Sequence, residues 1–274
     1  MKIRVITGAL LIAFFVPMFI IGGWALDIVL MICAMIATWE FSRMFNKEQD
    51  NKVILVIQLL FTAGLFLSVK LFLLKEIHVD VVFALVFFFT IIGALLLVFF
   101  EEFGANEFGN MFVSVYYPVF GFVSIAFLRA MDDGLLIIGF LFMVTAMTDT
   151  FAYVFGIRFG KHRLAEKISP KKSIEGSVYG SISAIVLTLG YVLLTDLQFI
   201  GSIEMTIIVS IGLILLISIV GQIGDLSASK MKRDLGVKDY SNLFPGHGGI
   251  MDRFDSATLA AMILLFIVMV VDVL

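Results

Sequence analysis

Nine long apolar runs dominate this sequence and constrain what the chain can fold into. Each run is about 20 residues long, which is the length that an α-helix needs to cross the hydrocarbon core of a bilayer. The mean hydropathy of +1.10 and the charged share of 15% exclude a soluble core of this size. The sequence therefore predicts an all-α, polytopic integral membrane protein. The predicted spans are 5–23, 25–42, 53–74, 79–100, 109–128, 134–157, 177–195, 202–223 and 256–273.

The positive residues predict the orientation of these spans. With nine spans, 16 of the 19 Lys and Arg residues lie on the side of the N-terminus, and Lys70, Lys75 and Arg129 lie opposite. Loops rich in Lys and Arg stay in the cytoplasm, so the N-terminus is predicted to be cytoplasmic. The sixteen are Lys2, Arg4, Arg43, Lys47, Lys52, Arg158, Lys161, Arg163, Lys167, Lys171, Lys172, Lys230, Lys232, Arg233, Lys238 and Arg253.

Two long polar loops, 157–176 and 224–256, concentrate the charged residues of the second half. The chain is expected to form a single membrane domain, with N-terminal helices in 1–130 and catalytic helices and loops in 131–274. The net charge of -3 offers no basic excess for a phosphate backbone, which excludes nucleic acid as the main partner.

Three aspartates are predicted to lie at one membrane level. Asp225 ends the eighth span, whereas Asp252 and Asp255 begin the ninth, which runs in the opposite direction. Carboxylates gathered in this way attract hard divalent cations, and the pattern favours a Mg²⁺ site on Asp225, Asp252 and Asp255. The alternative is that Asp252 and Asp255 interact with the helix dipole while Asp225 pairs with Lys230 or Arg253.

Basic residues of both loops surround these aspartates in the sequence. Mg²⁺ shares its coordination with substrate phosphates, so the cations are candidates for gripping a polyanion. The alternative is that they set the topology and touch anionic lipid headgroups, and we prefer this interpretation for Lys161 and Lys167. The candidate phosphate-binding residues are Lys171, Lys172, Lys232, Arg233, Lys238 and Arg253.

A glycine-rich turn precedes the ninth span. Gly246, Gly248 and Gly249 allow backbone amides to approach a phosphate, and the helix that follows presents its positive end. His247 is interpreted as a proton donor, a phosphate contact or a hydrogen-bonded turn residue, and the spacing does not separate these roles.

Asp149 is the one aspartate well inside a predicted span. Thr145, Asp149 and Tyr153 share a helical face, which predicts a polar stripe toward the protein interior or a water-filled cavity. The alternative for Asp149 is a structural hydrogen-bonding role. The sequence contains neither a Walker pattern nor a dinucleotide-binding glycine motif, which excludes an ordinary soluble nucleotide fold.

The segment SKMKRDLGVKDYSNLFPGHGGIMDRFD at 229–255 resembles the full signature of the phosphatidate cytidylyltransferases, also called CDP-diacylglycerol synthases. About 18 positions of this segment are specified, and TDTFAYVFGIRFGKHRLAEKISPKKSIEGS also looks like the bacterial members. The similarity in span number extends over the whole chain.

The resemblance implies condensation of CTP with phosphatidate to CDP-diacylglycerol and pyrophosphate, at the cytoplasmic face of a bacterial inner membrane. It further implies Mg²⁺ held by Asp225 and Asp252, a K⁺ ion beside it, and a homodimer in the lipid bilayer. The expected catalytic residues are Asp225, Asp252, Asp255, Lys232, Arg233 and His247. The expected substrate-binding residues are Lys171, Lys172, Ser229, Lys238, Asp239, Gly248, Gly249, Arg253 and Asp149.

Two other functions compete with this interpretation. An ion-coupled secondary transporter uses intramembrane carboxylates such as Asp149 and Asp225, but it leaves HGGIMDRFD at 247–255 unexplained. A transferase similar to the polyprenol or dolichol kinases shares the basic, nucleotide-facing end.

Overall fold

The architecture is described from a computed structural model of the chain. It describes residues 2–45 and 52–273, with side chains from residue 5 onward, so Lys2, Arg4 and Lys47 of the predicted charge pattern lie outside the described side chains. Within these ranges the chain forms nine α-helices, eight of which are long and apolar enough to cross a membrane. The apolar part of the first helix, Val5–Ile21, is shorter than the other eight. The predicted all-α polytopic membrane fold is confirmed.

The helices follow the apolar runs closely because an α-helix satisfies every backbone hydrogen bond within one segment, as the interior of a bilayer requires. The elements are α1 (Lys2–Ile21), α2 (Gly23–Phe45), α3 (Lys52–Leu73), α4 (Val79–Phe99), α5 (Ala105–Ala130), α6 (Gly134–Phe159), β1 (Arg163–Ala165), β2 (Ser169–Ser173), α7 (Ile174–Thr195), β3 (Phe199–Ile200), β4 (Ile203–Glu204), α8 (Ile207–Asp234) and α9 (Met251–Val273).

The structure differs from the predicted spans at the polar loops. Antiparallel hairpins, β1–β2 and β3–β4, lie where the sequence analysis placed no strands. The second hairpin delays the start of α8, which begins after Thr206, whose side chain caps the helix by accepting from Val209 N at 3.3 Å. At its other end α8 continues through residues 224–234, so Asp225 lies inside this helix.

The described chain divides into two compact units. Unit 1 comprises Met1–Phe127 and Asp239–Arg253, and unit 2 comprises Leu128–Lys238 and Phe254–Leu274. The division predicted from the sequence, 1–130 and 131–274, differs because residues 239–253 group with the N-terminal helices. The single membrane domain stays a prediction.

Unit 1 contains a buried ion pair among its helices. Lys70 Nζ donates to Asp27 Oδ1 at 3.0 Å and to Ala126 O at 2.7 Å, which joins α3 to α2 and α5. Lys70 is 1% exposed and lies in the last turn of α3. The charge pattern predicts that Lys70 lies in a loop on the side opposite the N-terminus, but in the structure Asp27 neutralises it among the helices of unit 1.

In unit 2, α6 and α7 approach each other closely. A Cβ atom at Gly176 would lie 2.6 Å from Ala152 O, and one at Gly180 would lie 2.7 Å from Thr148 O. Small residues permit such an approach of two backbones, and van der Waals packing of this kind holds helices together in lipid. The close crossing fixes α6, which carries Asp149, relative to α7.

Buried hydroxyl and amide groups connect α6, α7 and α8. Thr148 Oγ1 donates to Ser218 Oγ at 2.8 Å, and Ser218 Oγ lies 2.9 Å from Ser181 Oγ. Gln222 Nε2 donates to Ser181 Oγ at 3.1 Å, while Gln222 Oε1 accepts from Ser177 Oγ at 2.5 Å. Interhelical hydrogen bonds of this kind supplement packing in an apolar environment.

Candidate active site

Unit 2 gathers three carboxylates from three helices. Asp149 lies on α6, Asp225 on α8 and Asp255 on α9, and the charges of all three interact with one another. Lys172 and Lys232 supply the nearby positive charges. We call these five residues the acidic cluster.

Lys172 is the ion-pair partner of Asp225. Its Nζ contacts Asp225 Oδ2, and Ser229 Oγ donates to Asp225 Oδ1 at 3.3 Å. The alternative that Asp225 pairs with Lys230 is wrong, because Lys230 pairs with Asp234 one helical turn further along α8. The pairing is set by strand β2, which brings its lysine to α8.

The hairpin β1–β2 holds Lys172 in place at the start of α7. Ser173 caps α7 by accepting from Gly176 N at 3.1 Å. Glu175 accepts from Lys161 N at 3.0 Å and lies 2.6 Å from His162 Nδ1, which ties the first turn of α7 to the chain leaving α6. Glu175 is a positioning residue that the sequence analysis did not single out. Its local signal is an acidic residue in the first turn of a helix, two positions after the capping serine.

The other predicted basic residues differ in burial. Lys232 is 7% exposed and interacts with Asp255, so it belongs to the acidic cluster. Lys171 is exposed beside Lys172 on β2, and Lys238 is exposed after α8. Arg233 Nη1 donates to Val237 O at 3.0 Å and thereby closes the end of α8.

Asp149 contributes to the acidic cluster, and the polar stripe predicted around it does not face the protein interior along its whole length. Thr145 is 6% exposed and donates to Leu141 O of its own helix at 3.1 Å. Tyr153 is 67% exposed and does not face the interior of unit 2. Asp149 Oδ2 accepts from Ser256 Oγ at 3.3 Å, a contact with α9 that the sequence pattern did not indicate.

Residues 239–253, which we call the signature loop, form a compact turn in unit 1. Phe244 N donates to Gly248 O and His247 N donates to Phe244 O, each at 2.8 Å. Gly246 and Gly248 adopt φ values of 78° and 76°, which non-glycine residues rarely adopt. A Cβ at Gly248 would also lie 2.6 Å from Asp252 Oδ2. The glycines therefore serve the folding of the loop itself.

The amides at the start of α9 are occupied by carboxylates of the chain. Asp252 Oδ2 accepts from Tyr240 N at 2.8 Å and from Gly249 N at 2.9 Å. Ile250 N and Met251 N each donate to the Glu40 carboxylate at 2.9 Å. A phosphate is predicted near the glycine-rich turn and the start of the last helix, but in the structure Gly249 N, Ile250 N and Met251 N donate to two acidic side chains. The sequence gives no indication of Glu40 because it lies about 200 residues away.

His247 takes part in the turn through its backbone, and the structure does not test the other two roles that the sequence left open. Its backbone closes the turn, and a Cβ at Gly8 of α1 would lie 3.4 Å from its Nε2. Its Nδ1 is buried and has no hydrogen-bond partner among the described residues. Of the other loop candidates, Asp239 and Arg253 are exposed.

The donor set of the acidic cluster fits Mg²⁺. Within residues 2–45 and 52–273, no three His, Cys, Asp or Glu side chains form a ready-made metal cage. Mg²⁺ keeps waters and uses one or two carboxylates together with substrate phosphates, so a preformed cage is not required. Asp149, Asp225 and Asp255 offer hard oxygen ligands, whereas Asp252 already accepts two amide hydrogen bonds within unit 1.

The membrane fold and the acidic cluster define a class: a polytopic membrane protein with the charged groups that metal-assisted phosphate chemistry uses. A sequence model of the cytidylyltransferase family matches residues 2–271, and the chain belongs to that family.

Curated relatives cover nearly the whole chain. The phosphatidate cytidylyltransferase of Staphylococcus haemolyticus (strain JCSC1435) is 34% identical over 263 residues, 93% of this chain and 94% of the relative. The proteins of the same name from Staphylococcus aureus (strain COL) and Staphylococcus saprophyticus are each 32% identical, with the same coverage. The predicted family resemblance is confirmed.

Proposed function

We propose that this chain is a phosphatidate cytidylyltransferase, which condenses CTP with phosphatidate to CDP-diacylglycerol and pyrophosphate in phospholipid biosynthesis. The observation that carries the proposal is the acidic cluster, in which Asp149, Asp225 and Asp255 lie with Lys172 and Lys232 in a chain of the cytidylyltransferase family. The transporter and kinase alternatives leave this family membership unexplained.

The reaction exchanges one phosphoanhydride for another. A phosphate oxygen of phosphatidate bonds to the α-phosphorus of CTP, and the bond from that phosphorus to the pyrophosphate oxygen breaks. The attacking oxygen is already anionic, so positioning and charge neutralisation supply most of the catalysis and no strong general base is needed. Lys172 and Lys232, which interact with Asp225 and Asp255, would neutralise phosphate charge, with Lys171, Arg233 and Lys238 as further candidates.

Asp225 and Asp255 are the unit 2 residues that would hold Mg²⁺, and the family resemblance adds Asp252. The ion, when bound, neutralises and orients phosphate oxygens. Asp149 accepts a hydrogen bond from Ser256, the residue after Asp255, and Ser229 donates a hydrogen bond to Asp225. Both residues would therefore help to position the two carboxylates. The family resemblance also supports a K⁺ ion beside the Mg²⁺ ion and a catalytic role for His247. It further supports substrate-binding roles for Asp239, Gly248, Gly249 and Arg253.

The test is synthesis of the liponucleotide by the purified chain. The full-length protein in detergent is incubated with radiolabelled CTP, phosphatidate and Mg²⁺, and the lipid phase is analysed for labelled CDP-diacylglycerol. We expect one pyrophosphate released for each liponucleotide formed and no product without phosphatidate. Absence of product across several phosphatidate species and K⁺ concentrations contradicts the proposal.

Replacing Lys172 is expected to impair the reaction selectively. Lys172→Gln removes the cation beside Asp225, and we expect kcat/KM for CTP to fall about 100-fold, since one preorganised charge is lost from the site. The matched control is Lys167→Gln, which alters an exposed lysine in the turn of the same hairpin and is expected to change kcat/KM less than about twofold. If the two substitutions lower kcat/KM equally, the total positive charge of the hairpin matters for the reaction and Lys172 has no specific role.

The proposed location is the bacterial cytoplasmic membrane, with a cytoplasmic site and a homodimeric assembly. Lys and Arg in short loops favour this orientation. In a variant with Cys33 replaced by serine, a cysteine introduced at the exposed Lys167 is expected to resist an impermeant thiol reagent in intact cells and to react after the membrane is opened. Labelling in intact cells would reverse the orientation. Crosslinking of the purified protein tests the dimer.

A further inference from the structure

Glu40 is a buried acid in the middle of a contact between α2 and the signature loop. It is 0% exposed, although glutamate is almost never fully buried without partners. Its partners are the Ser241 hydroxyl, which donates to Oε1 at 2.6 Å, and the amides of Ile250 and Met251. A single carboxylate therefore accepts hydrogen bonds from both ends of the loop.

These hydrogen bonds close the signature loop into a fixed shape. The amides of Ile250 and Met251 lie at the start of α9, where no helical carbonyl is available to accept from them. Asp252 adds a second closure, because its Oδ2 joins Tyr240 N to Gly249 N. Gly249 fits between the two acids: a Cβ there would overlap the Glu40 carboxylate and would lie 2.7 Å from Ser241 Oγ.

Other contacts in unit 1 hold the loop against the same helices. Phe41, next to Glu40, packs against Tyr240 with ring centroids 4.9 Å apart and ring planes tilted by 53°. Thr7 Oγ1 of α1 donates to Pro245 O at 3.3 Å. None of these contacts joins Ser241 to the amides at the start of α9, as the carboxyl group of Glu40 does.

We propose that Glu40 is a positioning residue for the cytidylyl transfer, which holds the signature loop so that the Asp252 carboxylate keeps one orientation. This inference rests on the proposed function for its kinetic part only. Glu40 acts through the loop: its carboxylate is fully engaged by Ser241, Ile250 and Met251.

The test compares Glu40→Gln and Glu40→Ala with the control Glu102→Gln, which alters an exposed glutamate between α4 and α5. Glutamine keeps the size of the side chain but turns an amide donor toward one of the backbone N–H groups. Hydrogen–deuterium exchange is measured on the full-length protein in detergent, without nucleotide or metal. We expect exchange at Ile250 and Met251 to rise about tenfold in Glu40→Gln and further in Glu40→Ala, with the β1–β2 hairpin unchanged.

The kinetic part is a shift in the Mg²⁺ requirement. In Glu40→Gln we expect kcat to fall about 30-fold and the half-maximal Mg²⁺ concentration to rise about fivefold, as for loss of a group that orients a metal ligand. A merely structural role lowers the yield of folded protein but leaves the Mg²⁺ requirement of the folded fraction at its wild-type value. Faster exchange with unchanged kinetics, or unchanged exchange, overturns the proposal.

Ser241→Ala keeps the test decisive if both Glu40 variants fail to fold. It removes one of the three hydrogen bonds, and we expect exchange at residues 241–251 to rise about threefold with a corresponding small rise in the Mg²⁺ requirement. No change in either measurement contradicts the proposal. If the wild-type protein makes no liponucleotide, the proposed function fails, while the exchange experiment still decides whether Glu40 fixes the loop.

Discussion

Asp225→Asn is expected to lower kcat about 1,000-fold while leaving the protein folded in the membrane, which corresponds to about 4 kcal/mol of transition-state stabilisation. The substitution keeps the shape of the side chain but removes the charge that pairs with Lys172 and accepts from Ser229. It also removes a hard oxygen ligand from the acidic cluster, so the effect on Mg²⁺-dependent turnover exceeds the loss of one hydrogen bond. The measurement is liponucleotide synthesis at saturating CTP and phosphatidate over a range of Mg²⁺ concentrations.

The matched control is Asp234→Asn on the same helix. Asp234 pairs with Lys230, and both side chains are more than half exposed, so this pair is expected to contribute little and kcat to change less than about twofold. Thermal melting and gel filtration of both variants establish that the comparison is between folded proteins. Retention of more than about a tenth of wild-type kcat by Asp225→Asn would remove this carboxylate from the proposed metal site.

Lys70→Met is expected to destabilise the protein by about 3–5 kcal/mol, because it leaves Asp27 buried without its cation. Asp27 is 8% exposed, and Lys70 is its ion-pair partner and a donor to Ala126 O. An uncompensated charge is costly inside a membrane protein, where neither lipid nor water can replace the lost partner. Unfolding of the purified protein in detergent by a denaturing surfactant measures the change in free energy.

The double variant Asp27→Leu with Lys70→Met separates the charge effect from the loss of packing. Replacing both partners of a buried ion pair by apolar residues is often neutral, so we expect the double variant to recover most of the lost stability. If the double variant is as unstable as Lys70→Met, packing around the lysine stem is responsible instead. A single variant within about 1 kcal/mol of the wild type would contradict a structural role for the pair.

The sequence predicted the helices well because their determinant is local. A run of about 20 apolar residues has few structural options in a bilayer other than a helix, and the polar loops mark where each helix ends. The predictions failed where polar side chains have distant partners. Lys70 was counted as a loop charge because Asp27 lies 43 positions away. The alternative in which Asp225 pairs with Lys230 or Arg253 did not include its partner Lys172, which comes from a hairpin.

In the candidate site, too, the features set by local sequence were predicted and those set by distant partners were not. The residues of the cluster were identified from their charge, and Asp225, Asp255, Asp149, Lys172 and Lys232 were all among the predicted site residues. Which of these residues pair with each other was not predicted, because the pairing depends on which face of α8 contacts β2. Glu40 had no local signal: it is one acid near the end of an apolar run, and its three donors lie 201 to 211 positions away.

The sequence by itself determined that this chain is a polytopic, all-α membrane protein of the cytidylyltransferase family, since hydrophobic length and a dense motif are both properties of contiguous residues. The tertiary structure alone decided which charges meet. Asp225 pairs with Lys172, Asp27 pairs with Lys70, and the signature loop donates hydrogen bonds to Glu40. A buried polar or charged group is tolerated only beside a compensating group, and the packing of the helices selects that group.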